Sequence, residues 1–410
     1  MTSQTLFYVI IGILVLNFIV DKILDYLNAQ RYNDPVPNEL ADVYDDSEYK
    51  KSQKYKKENY RFSILTSSFS LLVTLIFFFL DGFAFVDTFA RTISENTIII
   101  ALVFFGIIMF ASELLGIPFS YFHTFIIEDK YGFNKTSHKT FLLDKIKGWL
   151  MMVIIGGGLL ALIIWVYENT GSNFWLYAWG IITVFSVLMN LFYARLIVPL
   201  FNKQTPLESG ELRSKIENYA TKVKFGLEKI FVIDGSKRST KANAYFSGFG
   251  HEKRITLYDT LINDLDEEEI VAVLAHEVGH YKRHHIVFNL VATTAMTGFT
   301  FWILSLMLGS PLLSQALNVA EPSFHIGLIA FGVLYTPLSE ITGLLMNFLS
   351  RKFEYQADNY AKMTYKSEPL VSALKKLSKN SLSNLTPHRM YVFVHYSHPT
   401  LLERIRNLYN

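Results

Sequence analysis

The chain has 410 residues, of which 51% are hydrophobic and only 18% are charged, and its formal net charge is +2. A soluble domain averages about 25% charged residues, so this composition favours an integral membrane protein. The small net charge argues against nucleic acid as a partner. The sequence contains no cysteine, which excludes disulfides, a thiolate zinc site and a cysteine nucleophile. Any zinc site must use His, Asp or Glu, and such a ligand set favours a catalytic site over a structural one.

Seven stretches are apolar enough to be membrane helices, which need about 20 mostly apolar residues. No small-residue cleavage pattern follows the first, so it is interpreted as an anchor rather than a signal peptide. The third contains Glu113 and Pro118, and the seventh contains Glu340. Carboxylates at membrane depth are costly, so these two line a water-filled cavity or are protonated or paired. The predicted spans are residues 6–20, 63–80, 97–127, 149–167, 174–194, 286–308 and 324–349.

Basic residues are distributed asymmetrically along the chain. Of the 38 lysines and arginines, 37 lie in residues 21–62, 128–148, 195–285 and 351–410, and the segments between the other spans hold only Arg91. Cytoplasmic loops collect Lys and Arg, so the pattern predicts an external N-terminus and a cytoplasmic C-terminus. If one span were instead a buried soluble helix, every later segment would change sides and this alternation would be lost.

The largest segment outside the spans, residues 195–285, has a mixed α and β pattern. It predicts an amphipathic helix over 207–224 and short strands over 229–234, 243–249 and 253–258. A further helix begins at Asp266 with an acidic first turn, which complements the helix dipole. No break separates this helix from the sixth span, so it is predicted to lead directly into the membrane.

This last helix carries His276-Glu277-Val278-Gly279-His280, a His-Glu-x-x-His pattern. Positions i and i+4 share one face of a helix, so the two imidazoles can bind one metal. Glu277 can reach a water at the open coordination position and act as general base. A catalytic zinc takes three protein ligands plus water. No third histidine follows at the metzincin spacing, because the residue six after His280 is Ile286.

A downstream carboxylate is the other common third ligand. Glu354 and Asp358 lie one turn apart on the same predicted helix face. Glu354 is predicted as the third ligand and Asp358 as the acceptor that orients a ligating histidine. The alternative is a solvated helix face in which Arg351 pairs with Glu354, since charge runs are usually solvated.

The remaining histidines give weaker signals. His284 and His285 extend the motif helix and are interpreted as membrane-interface residues. His398 precedes Pro399 and can donate a hydrogen bond to the oxyanion of a tetrahedral intermediate. The alternative is that His398 is only a polar turn residue.

Several runs of the sequence resemble the type I CAAX prenyl protease family of zinc metalloproteases. They begin at Lys130-Tyr-Gly-Phe-Asn-Lys135 and include the metal motif itself, so the resemblance covers nearly the whole chain. The other runs are residues 200–203, 205–207, 210–213, 235–238, 243–246, 276–285, 350–358 and 397–404.

The resemblance implies a mainly α, integral membrane fold. Seven transmembrane helices would form a barrel around a water-filled intramembrane chamber, with Glu113 and Glu340 facing it, and a cytoplasmic zincin-like α+β metalloprotease domain would cap it. The predicted parts are 1–194 with five spans, 195–285 with the motif helix, 286–350 with two spans, and 351–410 with the third ligand.

The resemblance also assigns roles to single residues. One Zn²⁺ per chain would be bound by His276, His280 and Glu354. Glu277 would be the general base, and Asp358 and His398 would support the site. The strand that contains Asn243 and Ala244 would be the edge that binds a substrate in extended form.

The implied activity is removal of the last three residues of a C-terminal C-a-a-X peptide after its cysteine is prenylated. The predicted partners are a peptide or protein substrate and the lipid bilayer. One alternative is a quality-control protease for non-prenylated membrane proteins, and others are a metal or solute transporter and an inactive scaffold. An intact Glu277 argues against the last two, because transport needs no base there. The chain ends without a Lys-Lys retrieval signal, which favours a bacterial plasma membrane, with the endoplasmic reticulum as the alternative.

Overall fold

The computed structural model describes residues 1–227, 229–247 and 254–410, which are mainly helical. Six helical stretches within these ranges are long and apolar enough to cross a membrane, as judged by length and composition. The protein is therefore a multi-pass membrane protein. The six stretches are Ser3–Ala29, Asp46–Phe79, Thr97–Glu128, His138–Phe201, His285–Met307 and Phe324–Thr364.

The fourth of these stretches contains more than one helix. A straight helix of 64 residues would be about 96 Å long, far more than the ~30 Å hydrocarbon core. The chain instead turns at Gly171, whose φ is +52°, and the helices before and after this turn contact each other. This turn separates the predicted fourth and fifth spans, although the count of seven spans stays a prediction.

The helix bounds place most predicted spans inside longer helices. The first part of the chain contains α1 Ser3–Ala29, α2 Asp46–Phe79, α3 Gly82–Ile93, α4 Thr97–Phe122, α5 His138–Met151, α6 Gly157–Thr170, α7 Phe174–Phe192 and α8 Val198–Phe201. The second part contains α9 Glu211–Lys222, α10 Asp259–Asp264, α11 Glu267–Lys282, α12 His285–Met307, α13 Pro311–Ala316, α14 Phe324–Thr364, α15 Ser367–Asn380, α16 Arg389–His395 and α17 Leu401–Tyr409. Turns of π-helix extend α4, α5 and α7 at His123–Glu128, Met152–Gly156 and Tyr193–Ile197.

A four-stranded sheet lies between α8 and α10 in the sequence. Its strands are β1 Gln204–Pro206, β2 Lys229–Ile233, β3 Ala244–Ser247 and β4 Arg254–Tyr258, in the order β1-β2-β4-β3. Strands β2 and β4 are parallel, whereas β1 and β3 pair antiparallel with their neighbours. The three predicted strands are present with shorter bounds, β1 was not predicted, and the predicted positions Gly248, Phe249 and Lys253 lie outside the described residues.

Two predictions about helix ends are wrong. The amphipathic helix spans Glu211–Lys222 rather than 207–224, because Gln204–Pro206 is a strand and Leu207 donates its backbone N–H to Ile230 of β2. The motif helix does not run continuously into the sixth span. It ends at Lys282, and His284 takes a left-handed conformation with φ +60° before α12 starts, a conformation that is uncommon for a residue other than glycine.

The two helices that carry the predicted ligands, α11 and α14, are in close contact. A Cβ atom at Gly279 would lie 3.0 Å from Cα of Ala357, so a side chain at this position of the motif would push the helices apart. Around them α9, α15 and the sheet enclose a core that includes the fully buried Ile270, Leu274 and Val278 of α11. Close packing of these helices therefore sets the distance between the motif and the downstream carboxylates.

Candidate metal centre

Helix α11 is fixed at its start by a capping box. The Asp266 side chain accepts a hydrogen bond from the backbone N–H of Glu269, and the Glu269 side chain accepts one from the backbone N–H of Asp266. Glu269 is buried and also accepts hydrogen bonds from Ser372 at 2.6 Å and Lys376 at 2.8 Å, both on α15. The acidic first turn predicted from the sequence thus also ties the motif helix to the C-terminal part of the chain.

The structure brings His276, His280 and Glu354 together at the contact of α11 with α14. Their ligand atoms all lie within 4.8 Å of one another, so the three side chains can hold a metal ion. The two histidine Nε2 atoms are 3.1 Å apart. From the carboxylate of Glu354, Oε2 lies 3.4 Å from Nε2 of His276 and Oε1 lies 3.2 Å from Nε2 of His280.

These distances fit a tetrahedral ion. Zinc bonds to His nitrogen and carboxylate oxygen are about 2.0–2.2 Å long, so ligand atoms around one tetrahedral ion are separated by about 3.3–3.6 Å. In addition, Oε2 of Glu354 is buried and accepts no hydrogen bond of good geometry from the described residues, although Nε2 of His276 and Nη1 of Arg404 lie 3.4 and 3.5 Å away. A buried carboxylate oxygen needs a partner, and a cation between the three side chains would supply one.

The second ring nitrogen of His276 faces a buried carboxylate. Its Nδ1 lies 2.9 Å from Oδ1 of Asp358, which is fully buried. Burial and the nearby Arg404 cation oppose protonation of His276, but its contacts with the carboxylates of Asp358 and Glu354 outweigh them and raise its pKa to about 9. In the metal-free protein both ring nitrogens of His276 therefore carry a proton. An incoming metal must displace the proton on Nε2.

The second ring nitrogen of His280 faces another histidine. Its Nδ1 lies 3.1 Å from Nδ1 of His285, and Nε2 of His285 lies 2.8 Å from the amide oxygen of Gln356. An amide oxygen only accepts hydrogen bonds, so His285 donates from Nε2 and accepts from His280 at Nδ1. This arrangement leaves the Nε2 lone pair of His280 free for a metal. His285 therefore supports this arrangement from the first residue of α12, and its interpretation as a membrane-interface residue stays a prediction.

The structure also places the other predicted site residues. Glu277 is half-buried on the same helix as the two histidines. His398 is 62% exposed, and its Nε2 lies 3.4 Å from Oε1 of Glu354. The alternative of a solvated Arg351–Glu354 pair is wrong, because Arg351 donates to backbone carbonyls of α16 and Tyr396 whereas Glu354 is buried.

Strand β3 lies at the end of the described sheet and begins at Ala244. Tyr258 donates its backbone N–H to the carbonyl of Asn243 at 3.1 Å, while Ala244 stands opposite Leu257. Residues of an antiparallel pair alternate between bonded and non-bonded positions, so the N–H and C=O of Ala244 point away from β4. The side-chain oxygen of Asn243 accepts the Ala244 N–H at 2.8 Å. Asn243 thus occupies an edge donor that another strand could use.

Sequence reasoning missed Arg404, His285 and Gln356. Arg404 lies on α17 and donates to Asp358 from two nitrogens, at 2.9 and 2.5 Å. A signal for Arg404 and His285 was present, since both belong to runs that resemble the family. Their contacts with the ligands, however, join positions far apart in the sequence.

Comparisons with known proteins identify the family to which the chain belongs. A family model described as "CAAX prenyl protease N-terminal, five membrane helices" matches residues 25–203. A second, described as "Peptidase family M48", matches residues 206–410, which include the whole metal centre.

Individual relatives match over almost their full length. The chain is 36% identical to "CAAX prenyl protease 1 homolog" of Oryza sativa subsp. japonica, covering 96% of this chain and 95% of the relative. It is 35% identical to "CAAX prenyl protease 1" of Saccharomyces cerevisiae, covering 98% and 94%. The crystal structure of S. mikatae Ste24p superposes with a TM-score of 0.94 at 34% identity, covering 98% of this chain and 99% of that one. These matches replace the transporter and scaffold alternatives: the chain belongs to peptidase family M48 and is a membrane metalloprotease of the CAAX prenyl protease type.

Proposed function

We propose that the chain binds one zinc ion through His276, His280 and Glu354 and hydrolyses peptide bonds beside it. The convergence of three ligand atoms from α11 and α14 carries this proposal. When bound, zinc would act as a Lewis acid and lower the pKa of water. All three ligands are His or Glu, the set found in catalytic zinc sites that keep one position open.

Glu277 is proposed as the general base. It follows His276 on the same helix and is half-buried at the edge of the centre. In this role its carboxylate accepts a proton from the attacking water and then gives it to the departing amine. Asp358 orients His276 through the Nδ1 contact, and His285 does the same for His280.

His398 is proposed to stabilise the oxyanion that develops on the scissile carbonyl. Ser397 lies 2.9 Å from its Nδ1, and a hydroxyl that donates there leaves the imidazole proton on Nε2. That nitrogen lies 3.4 Å from Oε1 of Glu354, on a side chain that is 62% exposed. An N–H donor at this place would gain strength as negative charge forms.

The proposed substrate is a C-terminal C-a-a-X peptide with a prenylated cysteine, cleaved after the cysteine. It would bind in extended form along β3, where the outward N–H and C=O of Ala244 can pair with a peptide backbone. Asn243 would release the Ala244 N–H when the substrate enters. The printed names of the relatives support this substrate class.

The proposed setting follows the distribution of charge. We infer seven spans that form a barrel around a chamber, with the metal centre facing the cytoplasm. The chain would divide into residues 1–194, 195–285, 286–350 and 351–410. Glu113 is paired with Lys145 at 2.6 Å, which agrees with the expectation that a carboxylate at this depth has a partner. The proposed location is a bacterial plasma membrane, with the endoplasmic reticulum as the alternative, and the orientation and charge distribution are the same in either.

The test is digestion of a peptide library with and without S-prenyl cysteine by the purified protein, followed by mass spectrometry of the products. We expect release of C-terminal tripeptides, loss of cleavage after chelation, and recovery with zinc. Equal cleavage of peptides with and without the prenyl group would favour the quality-control alternative. Cleavage that persists in full after the metal is removed would contradict the proposed centre.

A further inference from the structure

A cleft of about 680 Å³ lies between the membrane helix α7 and the sheet. Phe185 and Met189 of α7 and Tyr193 of the π-helical turn line one side, and Tyr245 and Tyr258 line the other. Ligand sites usually have volumes of about 300–1,000 Å³ and apolar walls with a few polar groups. The volume lies within this range and is larger than a single amino-acid side chain needs, and the aromatic and aliphatic side chains of the lining are joined by the polar Ser186, Asn190 and Asn202.

The walls of the cleft are held in place by polar contacts with the sheet and with the segment that follows β2. Arg254 of β4 lies 3.4 Å from the carbonyl of Ala194. Asn202, at the end of α8, donates to the backbone and side-chain oxygens of Asp234 at 3.0 and 2.9 Å. Arg238 reaches the carbonyl of Phe201 at 2.9 Å. The cleft is therefore formed before any ligand enters.

Strand β3 connects this cleft with the metal centre. The ring of Phe246 lies 5.7 Å from that of Tyr281, the residue after His280. Successive side chains of a strand point to opposite faces, so Tyr245 points away from α11 and lines the cleft. Phe246 thus contacts the catalytic helix and also borders the cleft, which Tyr245 lines from the other face of the strand.

A peptide paired with the edge of β3 that faces away from β4 would extend this alternation. The residue directly opposite Tyr245 would place its side chain on the same face as Tyr245 and so in the cleft. The chain attached there must be apolar and long enough to reach from the sheet to α7, a helix of the membrane part. Among the groups that the proposed substrate carries, only the prenyl chain on its cysteine has both properties.

We infer that the α7–β3 cleft binds the isoprenyl chain of the substrate cysteine while the peptide backbone pairs with β3. This inference rests on the proposed function and adds the place and the side chains that select the lipid. Phe185, Met189, Tyr193 and Tyr245 would contact the hydrocarbon chain. Selectivity for a prenylated peptide would then come from a site on the opposite side of β3 from the metal ligands.

The test uses two peptides of identical sequence, one with S-farnesyl cysteine and one with S-methyl cysteine. Ser186 lines the cleft and is exposed, so Ser186→Trp fills it. We expect this variant to lower kcat/KM for the farnesyl peptide by about tenfold or more, since long apolar contacts are lost. Cleavage of the S-methyl peptide should stay within about twofold, as this peptide leaves the cleft empty.

Val184→Trp is the matched control, because Val184 is 60% exposed on the same helix and does not line the cleft. It should leave both peptides unaffected. As a second variant, Met189→Ala enlarges the cleft and should raise activity on a geranylgeranyl peptide relative to a farnesyl peptide. Zinc content and S-methyl peptide cleavage show that each variant is folded.

The outcomes separate this inference from the proposed function. If the wild-type protein cleaves neither peptide, the proposed function fails. If it cleaves both equally, or if Ser186→Trp and Val184→Trp have the same effect on the farnesyl peptide, the protease assignment stands and the lipid site is wrong. Equal loss of both peptides in a zinc-replete Ser186→Trp variant would likewise contradict it.

Discussion

Arg404 holds Asp358 through two parallel hydrogen bonds, from Nε to Oδ2 at 2.9 Å and from Nη2 to Oδ1 at 2.5 Å. Asp358 is fully buried and also faces Nδ1 of His276. The guanidinium therefore fixes the carboxylate that fixes a metal ligand, and it compensates the charge of a group that would be costly to bury alone. A helix near the end of the chain thus takes part in the centre although it supplies no ligand.

Replacement of Arg404 by lysine should weaken metal binding. Lysine keeps the charge but loses the two-pronged geometry, and loss of a partner behind a ligand costs about 10–100-fold in metal affinity or activity. Zinc affinity, measured by competition with a chelator, is the readout. Arg406→Lys is the control on the same helix, because Arg406 is exposed and its side chain pairs with Glu39, away from the metal centre. Equal affinities in the two variants would contradict the role of Arg404.

Glu277 and Glu354 are assigned different roles, and alanine variants should separate them. Glu277→Ala should keep about one zinc per chain and lose about 10²–10⁴-fold in rate, as expected for a general base. Glu354→Ala should lose zinc as well as activity, because it removes a ligand. Zinc content and cleavage are measured on detergent-purified protein. If Glu277→Ala loses zinc while Glu354→Ala keeps it and still cleaves, the ligand set is wrong and Asp358 is the next candidate.

Proline at Ala244 should damage substrate binding with little effect on the sheet. The Ala244 N–H points away from β4, so the substitution removes an edge donor rather than a bond within the sheet. We expect a higher KM or no cleavage, with unchanged zinc content. Ala244→Val keeps the N–H and should behave much more like the wild type. Unchanged kinetics in a folded Ala244→Pro protein would move the binding site elsewhere.

Metal affinity should increase with pH. Below its metal-free pKa of about 9, His276 is protonated, and zinc binding must release that proton because the ligand is the neutral ring. The apparent affinity should therefore rise by about tenfold per pH unit until that pKa is reached. Proton release can be measured by calorimetry in buffers of different ionisation enthalpy. Asp358→Asn should reduce the release near pH 8, and a wild-type affinity that does not change with pH would contradict this coupling.

The C-terminus should face the cytoplasm. The prediction rests on the location of 37 of the 38 basic residues in alternate segments. A reporter that is active only in the cytoplasm, fused after Asn410, should be active, and one that requires export should be silent. The opposite result would contradict this topology, and with the N-terminus outside it would also contradict seven spans, because the bilayer would then be crossed an even number of times.

The sequence alone determined the features that depend on neighbours along the chain. Apolar stretches predicted the membrane segments, and the i, i+4 spacing of His276 and His280 put two imidazoles on one face of a helix. The acidic turn after Asp266 predicted where that helix begins. These predictions succeed because helix periodicity, capping and hydropathy are local properties.

Tertiary structure decided the features that depend on contacts between distant segments. The approach of α14 at Gly279 brings Glu354 within reach of both histidines, and α17 brings Arg404 to Asp358. The helix break at His284 could not be predicted from the sequence either, because no Gly or Pro marks it. It brings His285 between His280 and Gln356. Residue spacing gives the face on which a side chain lies, whereas only the packing of helices determines which side chain of another segment it meets.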